Sequence, residues 1–261
     1  MEFKKLNARA VYLIYSAASA LFFAVITTLN LVYQAQVVNL NPLQLVLVGT
    51  LLESTIFLLE IPTGVVADVY SRRLSVIIGV CLMGVGFVIE GSIPRFWPVM
   101  LSQVLWGAGY TFTSGAAEAW ISDEVGEENA GQVFVRGSQA ALAGGIAGAA
   151  VSAALGSIRV NVPIITGGVC YLVLGLFLAV WMPERGFVPR ARQNRPGLAA
   201  TIEDSWKGMA RTFLDGLRLV RGRRALLTIL LAGLFFGLYS EGFDRLWTPH
   251  LLRDIGLPAL G

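Results

Sequence analysis

Four carboxylates, Glu53, Glu60, Glu90 and Glu118, lie inside long apolar stretches of this 261-residue chain. An acid in hydrocarbon is costly, so such residues are retained for carrying protons, meeting cargo or making buried hydrogen bonds. Glu53 is followed by Glu60, Gly64 and Asp68 at +7, +11 and +15, intervals that hold all four near one helical face. That face is expected to meet protein rather than lipid. Glu53, near mid-helix, then reads either as a proton carrier or as a structural, hydrogen-bonded glutamate, while Glu60 sits nearer the boundary. Glu118 and Asp123 fall at one helix end, where an acid reaches arginines of a neighbouring loop. Glu241, Asp244 and Arg245 form a compact set in which Glu241 and Arg245 are spaced i, i+4, a pairing distance on a helix. They line a substrate path or neutralise one another near an outer rim. Glu90 is expected close to the external boundary of its helix, where solvation explains it as well as transport does. Asn30, Tyr33 and Gln34 either face the same interior or mark an interface.

Enzyme chemistry finds little to work with. A serine or zinc protease needs histidine beside its nucleophile or metal, and the sole histidine, His250, reads as a loop residue. A phosphate-cradling glycine loop ending in Lys-Ser or Lys-Thr is absent from the sequence. Cys81 and Cys170 sit in apolar blocks without metal-ligand spacing and read as small buried hydrophobes rather than a disulfide. No cofactor, no metal and no enzymatic activity are expected.

The elements that position these residues follow from composition. Hydrophobic residues make up 55% of the chain and charged residues 14%, with a mean hydropathy of +0.67. Soluble domains carry about 25% charged residues, so lipid is the expected solvent. Seven blocks are long enough for a bilayer core of roughly 30 Å: Ala10 to Tyr33, Leu43 to Pro62, Leu74 to Ile93, Trp97 to Trp120, Gly137 to Ile158, Val162 to Met182, and Ala225 to Trp247. All must be helical, because a lone strand leaves its backbone unsatisfied in hydrocarbon. The first block is followed by no cleavage-site pattern, so it is expected to stay as a spanning helix. With a cytoplasmic N-terminus, sixteen Lys and Arg fall on that side and four on the other, which predicts a multi-pass cell-membrane protein in that orientation. The net charge of +3 does not imply nucleic acid, since the basic residues lie between apolar blocks.

Between Met182 and Ala225 the chain changes character. Pro183 to Gly197 reads as a flexible linker, and from Ile202 onward Trp206, Met209, Phe213, Leu217 and Val220 recur at three to four residues with Arg211, Asp215, Arg218 and Arg221 outside the stripe. This predicts either an amphipathic helix on the cytoplasmic leaflet or a solvated linker helix. An internal echo follows: Leu21-Phe22-Phe23-Ala24 in the first block has a counterpart in Leu234-Phe235-Phe236-Gly237 of the seventh. After six spans and a basic loop, this suggests that a second copy of the first half begins there. The domain expectation is a six-helix bundle over 1–182, a linker with its interfacial helix over 183–224, and the start of an incomplete second bundle over 225–261.

The stretch Gly64-Val-Val-Ala-Asp68-Val-Tyr-Ser-Arg72-Arg73, between the second and third blocks, closely resembles the loop motif of major facilitator superfamily transporters. Leu59-Glu60-Ile61-Pro62-Thr63 before it, Ser114 to Asp123, and Pro183-Glu184 are similar to landmarks of the drug-efflux-like branches. The resemblance implies an all-α membrane fold and a secondary transporter that moves small amphipathic or hydrophobic compounds by alternating access, as an efflux antiporter coupled to protons. It also implies that Asp68, Arg72, Arg73 and Asp123, with Gly64 and Arg136 beside them, form a charge cluster that latches the cytoplasmic gate. Glu53, Glu118, Glu241, Asp244 and Arg245 are the candidates for coupling or cargo. Gln103 stands where many proton-coupled members have a basic residue, and Leu142-Ala143-Gly144-Gly145 lacks the proline of the antiporter signature. Expected partners are membrane lipids, a small-molecule substrate, protons and a missing C-terminal half. The alternatives are a fragment that does not transport without a second half and, further off, an intramembrane enzyme.

Overall fold

The computed structural model describes residues 5–188, 198–221 and 223–253, and these are arranged entirely as helices and connecting turns. In chain order the helices are α1 (Ala8–Val32), α2 (Pro42–Val69), α3 (Arg72–Ser92), α4 (Phe96–Thr113), α5 (Ala116–Val125), α6 (Glu127–Gly156), α7 (Val162–Trp181), α8 (Leu198–Arg221) and α9 (Arg224–Arg253). Six of them are long and apolar enough to cross a membrane: α1 with its extension to Val37, α2, α3, α6, α7 and residues Ala225–Leu252 of α9. The all-α membrane architecture read from the sequence is the one observed.

Local chemistry sets the helix ends. Asn41 and Gln44 cap α2 reciprocally, the Asn41 side chain accepting from Gln44 N at 2.9 Å and the Gln44 side chain from Asn41 N at 3.0 Å, with Pro42 at the first turn. Ser71 caps α3 by accepting from Leu74 N at 2.9 Å. α1 passes through a π-helical turn, Tyr33–Val37, before the chain reverses at Asn39, whose φ is 58°. The expected single span from Trp97 to Trp120 is corrected. It breaks at Gly115, whose φ of 70° belongs to the left-handed region that glycine tolerates, and α5 sets off in a new direction. Gly126, with φ 81°, turns the chain again into α6.

α1 lies against α6 and α7, α3 sits centrally against α4, α5 and α7, and α2 packs on the outer side of α4. Apolar burial alone separates helices poorly from lipid, so close backbone approach carries much of this packing. On α6, a Cβ at Gly144 would overlap the Ala17 carbonyl oxygen and one at Gly148 the Leu21 carbonyl oxygen. Ser152 Oγ donates to Val25 O at 2.7 Å in the same interface. The core residues include Phe87, Trp120, Ile164 and Tyr171, all fully or almost fully buried.

α8 forms in the stretch where an amphipathic helix is expected, and Trp206 meets Phe57 of α2 with ring centroids 6.3 Å apart. The side chains of Phe213, Leu217, Val220, Arg218 and Arg221 lie outside the described residues, as do residues 189–197 of the linker and the end of the expected second bundle beyond Arg253. α9 packs on α2 and α1, and it runs on past the expected Trp247 so that His250 is an exposed helical residue rather than a loop one. Cys81 and Cys170 are free thiols.

Candidate functional site

The α2–α3 turn places Asp68 on the last turn of α2 and Arg72 on the first of α3. Arg72 joins two acids: its Nη2 lies 3.7 Å from Asp68 Oδ1, and its Nη1 donates to Asp123 Oδ2 and to the Ala119 carbonyl of α5, the latter at 2.7 Å. The Arg72 side chain is 18% exposed and that of Asp123 28%, so the pair is shielded from much of the solvent that weakens surface ion pairs. Arg73 reaches the other way, donating through Nη2 to Ala179 O of α7. Glu184, just past α7, accepts from Arg73 N at 2.9 Å and from Ser71 Oγ at 2.7 Å, and Trp120 Nε1 donates to Pro183 O at 2.6 Å. The turn is thereby clamped to both α5 and the exit of α7. Lys5 donates from Nζ to Val180 O at 2.7 Å close by, and burial together with the Arg73 charge lowers its pKa.

Two members of the expected cluster stand apart. Arg136 is exposed on α6, and among the described residues it enters no ion pair. Gly64 has open space around it: a Cβ there meets nothing within 4 Å. Glu184 was not foreseen as part of this network; its position after Pro183 carried the only signal.

A cavity of about 540 Å³ opens between α1, α4 and α6. Tyr12, Tyr15, Phe23, Trp106, Tyr110 and Tyr171 line it, with Glu118 as its carboxylate. Contacts within and behind the wall hold it: Trp106 packs on Phe23 and, behind it, on Phe87 at centroid distances of 5.6 and 5.4 Å, and Tyr171 Oη donates to Ser19 O at 2.9 Å. Glu118 is exposed to this opening, on the same short helix α5 whose far end holds Asp123. Aromatic faces and one acid suit an apolar or amphipathic molecule with a polar or cationic group.

At the opposite end of the bundle, the expectation for Glu90 is overturned. Glu90 has no solvent exposure at all. Four neutral donors converge on its carboxyl: Asn30 Nδ2 at 3.1 Å and Gln34 Nε2 at 2.8 Å on Oε1, and Ser102 Oγ at 2.7 Å and Gln103 Nε2 at 3.3 Å on Oε2. Tyr33 Oη donates to the Glu90 carbonyl at 2.7 Å, and Gln34 Nε2 also reaches Asn30 Oδ1 at 2.6 Å. α1, α3 and α4 are pinned together by this one carboxylate. Burying it requires such a shell, because an unsatisfied charge in apolar surroundings is costly.

Glu53 lies elsewhere than expected. The buried face of α2 is Leu45, Val48, Gly49, Leu52, Thr55, Thr63 and Ala67, whereas Glu53 and Glu60 are exposed. Glu53 lines a crevice of about 370 Å³ between α2 and α9 together with Thr50 and Arg245. Arg245 lies across Gly49, where a Cβ would come 2.7 Å from its Nε. Asp244 is exposed, and the Glu241 side chain lies outside the described residues.

The sequence profile of the Major Facilitator Superfamily matches residues 11–260. An uncharacterized MFS-type transporter of Bacillus subtilis (strain 168), YxaM, is 24% identical over 214 residues, which cover 82% of this chain and 51% of that protein. The class G tetracycline resistance protein of Vibrio anguillarum is 26% identical over 155 residues, covering 58% of this chain and 39% of its own length. An uncharacterized transporter, BU466, of Buchnera aphidicola subsp. Acyrthosiphon pisum (strain APS) is 30% identical over 70 residues, 27% of this chain and 17% of that one. The chain therefore spans about half or less of the length of these curated relatives. With a profile match along nearly its whole length and an all-helical fold built for lipid, this multi-pass membrane chain belongs to the major facilitator superfamily of transporters.

Proposed function

We propose that the chain supplies the first half of a secondary active transporter that exports small amphipathic or hydrophobic compounds by alternating access, driven by protons. The observation that carries this reading is the aromatic cavity of about 540 Å³ with Glu118 at its edge. Its volume falls in the range of small-molecule sites, about 300–1,000 Å³. The name of the tetracycline resistance relative is in keeping with a drug-like cargo. Alternating access needs an opposing bundle, which α9 begins and the remainder of a longer chain or a second subunit completes. In this reading the N-terminus is cytoplasmic, the protein resides in the cell membrane, and α8 lies along the inner leaflet. The Asp68, Arg72, Arg73 and Asp123 cluster then latches the cytoplasmic end, exchanging partners as the bundles rock.

Binding to the cavity tests this directly. In lipid nanodiscs, a fluorescent aromatic amphiphile titrated onto the protein is expected to quench tryptophan emission saturably. Trp106→Ala is expected to weaken that binding about tenfold, the scale of one lost aromatic contact and its burial. Trp97→Ala, at a site 75% exposed and away from the cavity, should leave the affinity unchanged. Equal affinities for all three proteins would reject the cavity as the cargo site.

A further inference from the structure

Where α1 begins and α7 ends, the bundle carries another cavity, of about 710 Å³, which shares no lining residue with the cargo cavity. Lys5, Arg9 and Arg185 line it, together with Leu6, Glu124 and Val125. Hydrogen bonds fix its walls. Leu6 N donates to Trp181 O at 3.3 Å and Lys5 Nζ to Val180 O at 2.7 Å, which ties the segment before α1 to the end of α7. Glu124 Oε1 accepts from Arg185 N and, at 2.7 Å, from Gly186 N, and this holds the segment after α7 against the end of α5. A Cβ at Gly186 would run into Asp123 O, so glycine is what lets that segment lie so close.

These bonds leave the acid occupied and the cations unmatched. Glu124 is engaged with main-chain N–H groups, whereas the guanidinium groups of Arg9 and Arg185 make neither a hydrogen bond nor an ion pair among the described residues. Lys5 enters no ion pair among them either. Burial and the nearby Arg73 charge lower its pKa, the response of an ammonium that has no anion beside it. Three cations therefore surround one cavity against a single acid. The cavity is also level with the ends of two spanning helices, at Ala8 of α1 and Trp181 of α7. That is the depth of lipid phosphates, and the exposed Trp181 is of the kind found there.

We propose that this cavity binds a phosphate-bearing anion, supplied by the headgroup of an anionic membrane phospholipid, with Arg9 and Arg185 as its hydrogen-bond donors and Lys5 as a supporting charge. A guanidinium suits the task, because its planar fork offers two N–H groups to two phosphate oxygens. Basic pockets between the ends of spanning helices hold anionic headgroups in this way. Leu6 and Val125 add apolar surface for the glycerol end of the lipid. A soluble phosphate compound presents the same oxygens, but the depth of the cavity and this apolar wall favour the lipid. Nothing in the site depends on which cargo the protein carries.

Native mass spectrometry of the full chain in mild detergent, titrated with phosphatidylglycerol or phosphatidylcholine, tests this by counting bound lipids. The parent protein is expected to hold one phosphatidylglycerol in preference to phosphatidylcholine. Arg9→Gln and Arg185→Gln should each weaken that binding about fivefold, the effect of one cation lost beside an anionic headgroup, and leave phosphatidylcholine unchanged. Arg136→Gln removes the same charge from an exposed position on α6 outside the cavity and should leave both affinities as they were. Arg9 and Arg185 are exposed, so both variants are expected to fold, and either one alone suffices for the test. Inorganic phosphate is the second arm. Protection of the lipid-free protein against thermal unfolding by phosphate but not by chloride, lost in Arg185→Gln and with no preference between the lipids, would keep the anion site and overturn the lipid as its source. Equal binding of the two lipids with no effect of phosphate, or a loss in Arg136→Gln as large as that in Arg9→Gln, would overturn the site itself.

Discussion

Arg72→Ala is expected to lower the stability of the bundle by about 2–4 kcal/mol, seen as a fall in apparent melting temperature of roughly 5–10 °C in detergent. The size follows from what the side chain holds. It donates to Asp123 and to the Ala119 carbonyl, sits beside Asp68, and lies 5.9 Å from the Phe187 ring centre. Removing it leaves two acids facing each other with their shared cation gone. Arg72→Lys should recover less than half of the loss, because a single ammonium cannot serve a carboxylate and a carbonyl with the geometry of a guanidinium fork. Thermal unfolding of the three proteins, followed by tryptophan emission, measures it. An alanine variant within about 1 kcal/mol of the parent would show that the cluster is surface charge of little weight.

Gly144→Ala is expected to be comparably harmful despite adding one methyl group. Its Cβ would run into the Ala17 carbonyl of α1, a backbone atom that no rotamer change can move aside. Overpacking of this kind costs about 1–3 kcal/mol, and Gly144→Val should exceed it. The neighbouring Gly145→Ala is the control: nothing lies within 4 Å of its Cβ. Alanine there should be neutral or stabilising by about 0.5–1 kcal/mol through helix propensity. Melting temperatures that fall equally for Gly144→Ala and Gly145→Ala would locate the cost in the helix itself rather than in the α1–α6 contact.

Much of this architecture is written in long-range hydropathy. The apolar blocks announce the spans because lipid imposes one length and one backbone geometry. Asp68 and Arg72 are legible too, since a short turn between two spans leaves charged side chains little room to separate, whereas Asp123, in α5, is tied to them in the sequence only by the resemblance to the superfamily. The break at Gly115 is not legible in the same way. Ser114-Gly115-Ala116 continues an apolar, small-residue run, and glycine is found inside membrane helices as readily as at their ends.

Glu90 and Glu53 show the same limit from opposite sides. The spacing of Glu53, Glu60, Gly64 and Asp68 does define one face of α2, but periodicity does not say which neighbour a face meets. Here α4 takes the Leu45, Val48 and Leu52 face, and Glu53 is left at the crevice. Glu90 is buried by residues 56 to 60 positions before it and 12 to 13 after it, a convergence that only the packing of α1, α3 and α4 creates. The available hint was polarity in unlikely places. Asn30 and Gln34 lie one turn apart, and Ser102 and Gln103 adjoin within an apolar helix. Polar residues that lipid would penalise mark a shared interior partner.

Efflux in cells puts the central claim, proton-driven export through the aromatic cavity, to its most direct test. Cells without their own drug pumps, expressing the protein, should hold less of a fluorescent aromatic amphiphile than cells without it. Collapsing the proton gradient should raise the level to that of the control, and Trp106→Ala, present in the membrane at the same amount, should do so without the collapse. Accumulation indifferent to expression and to the gradient, with the protein verified in the membrane, would contradict the account.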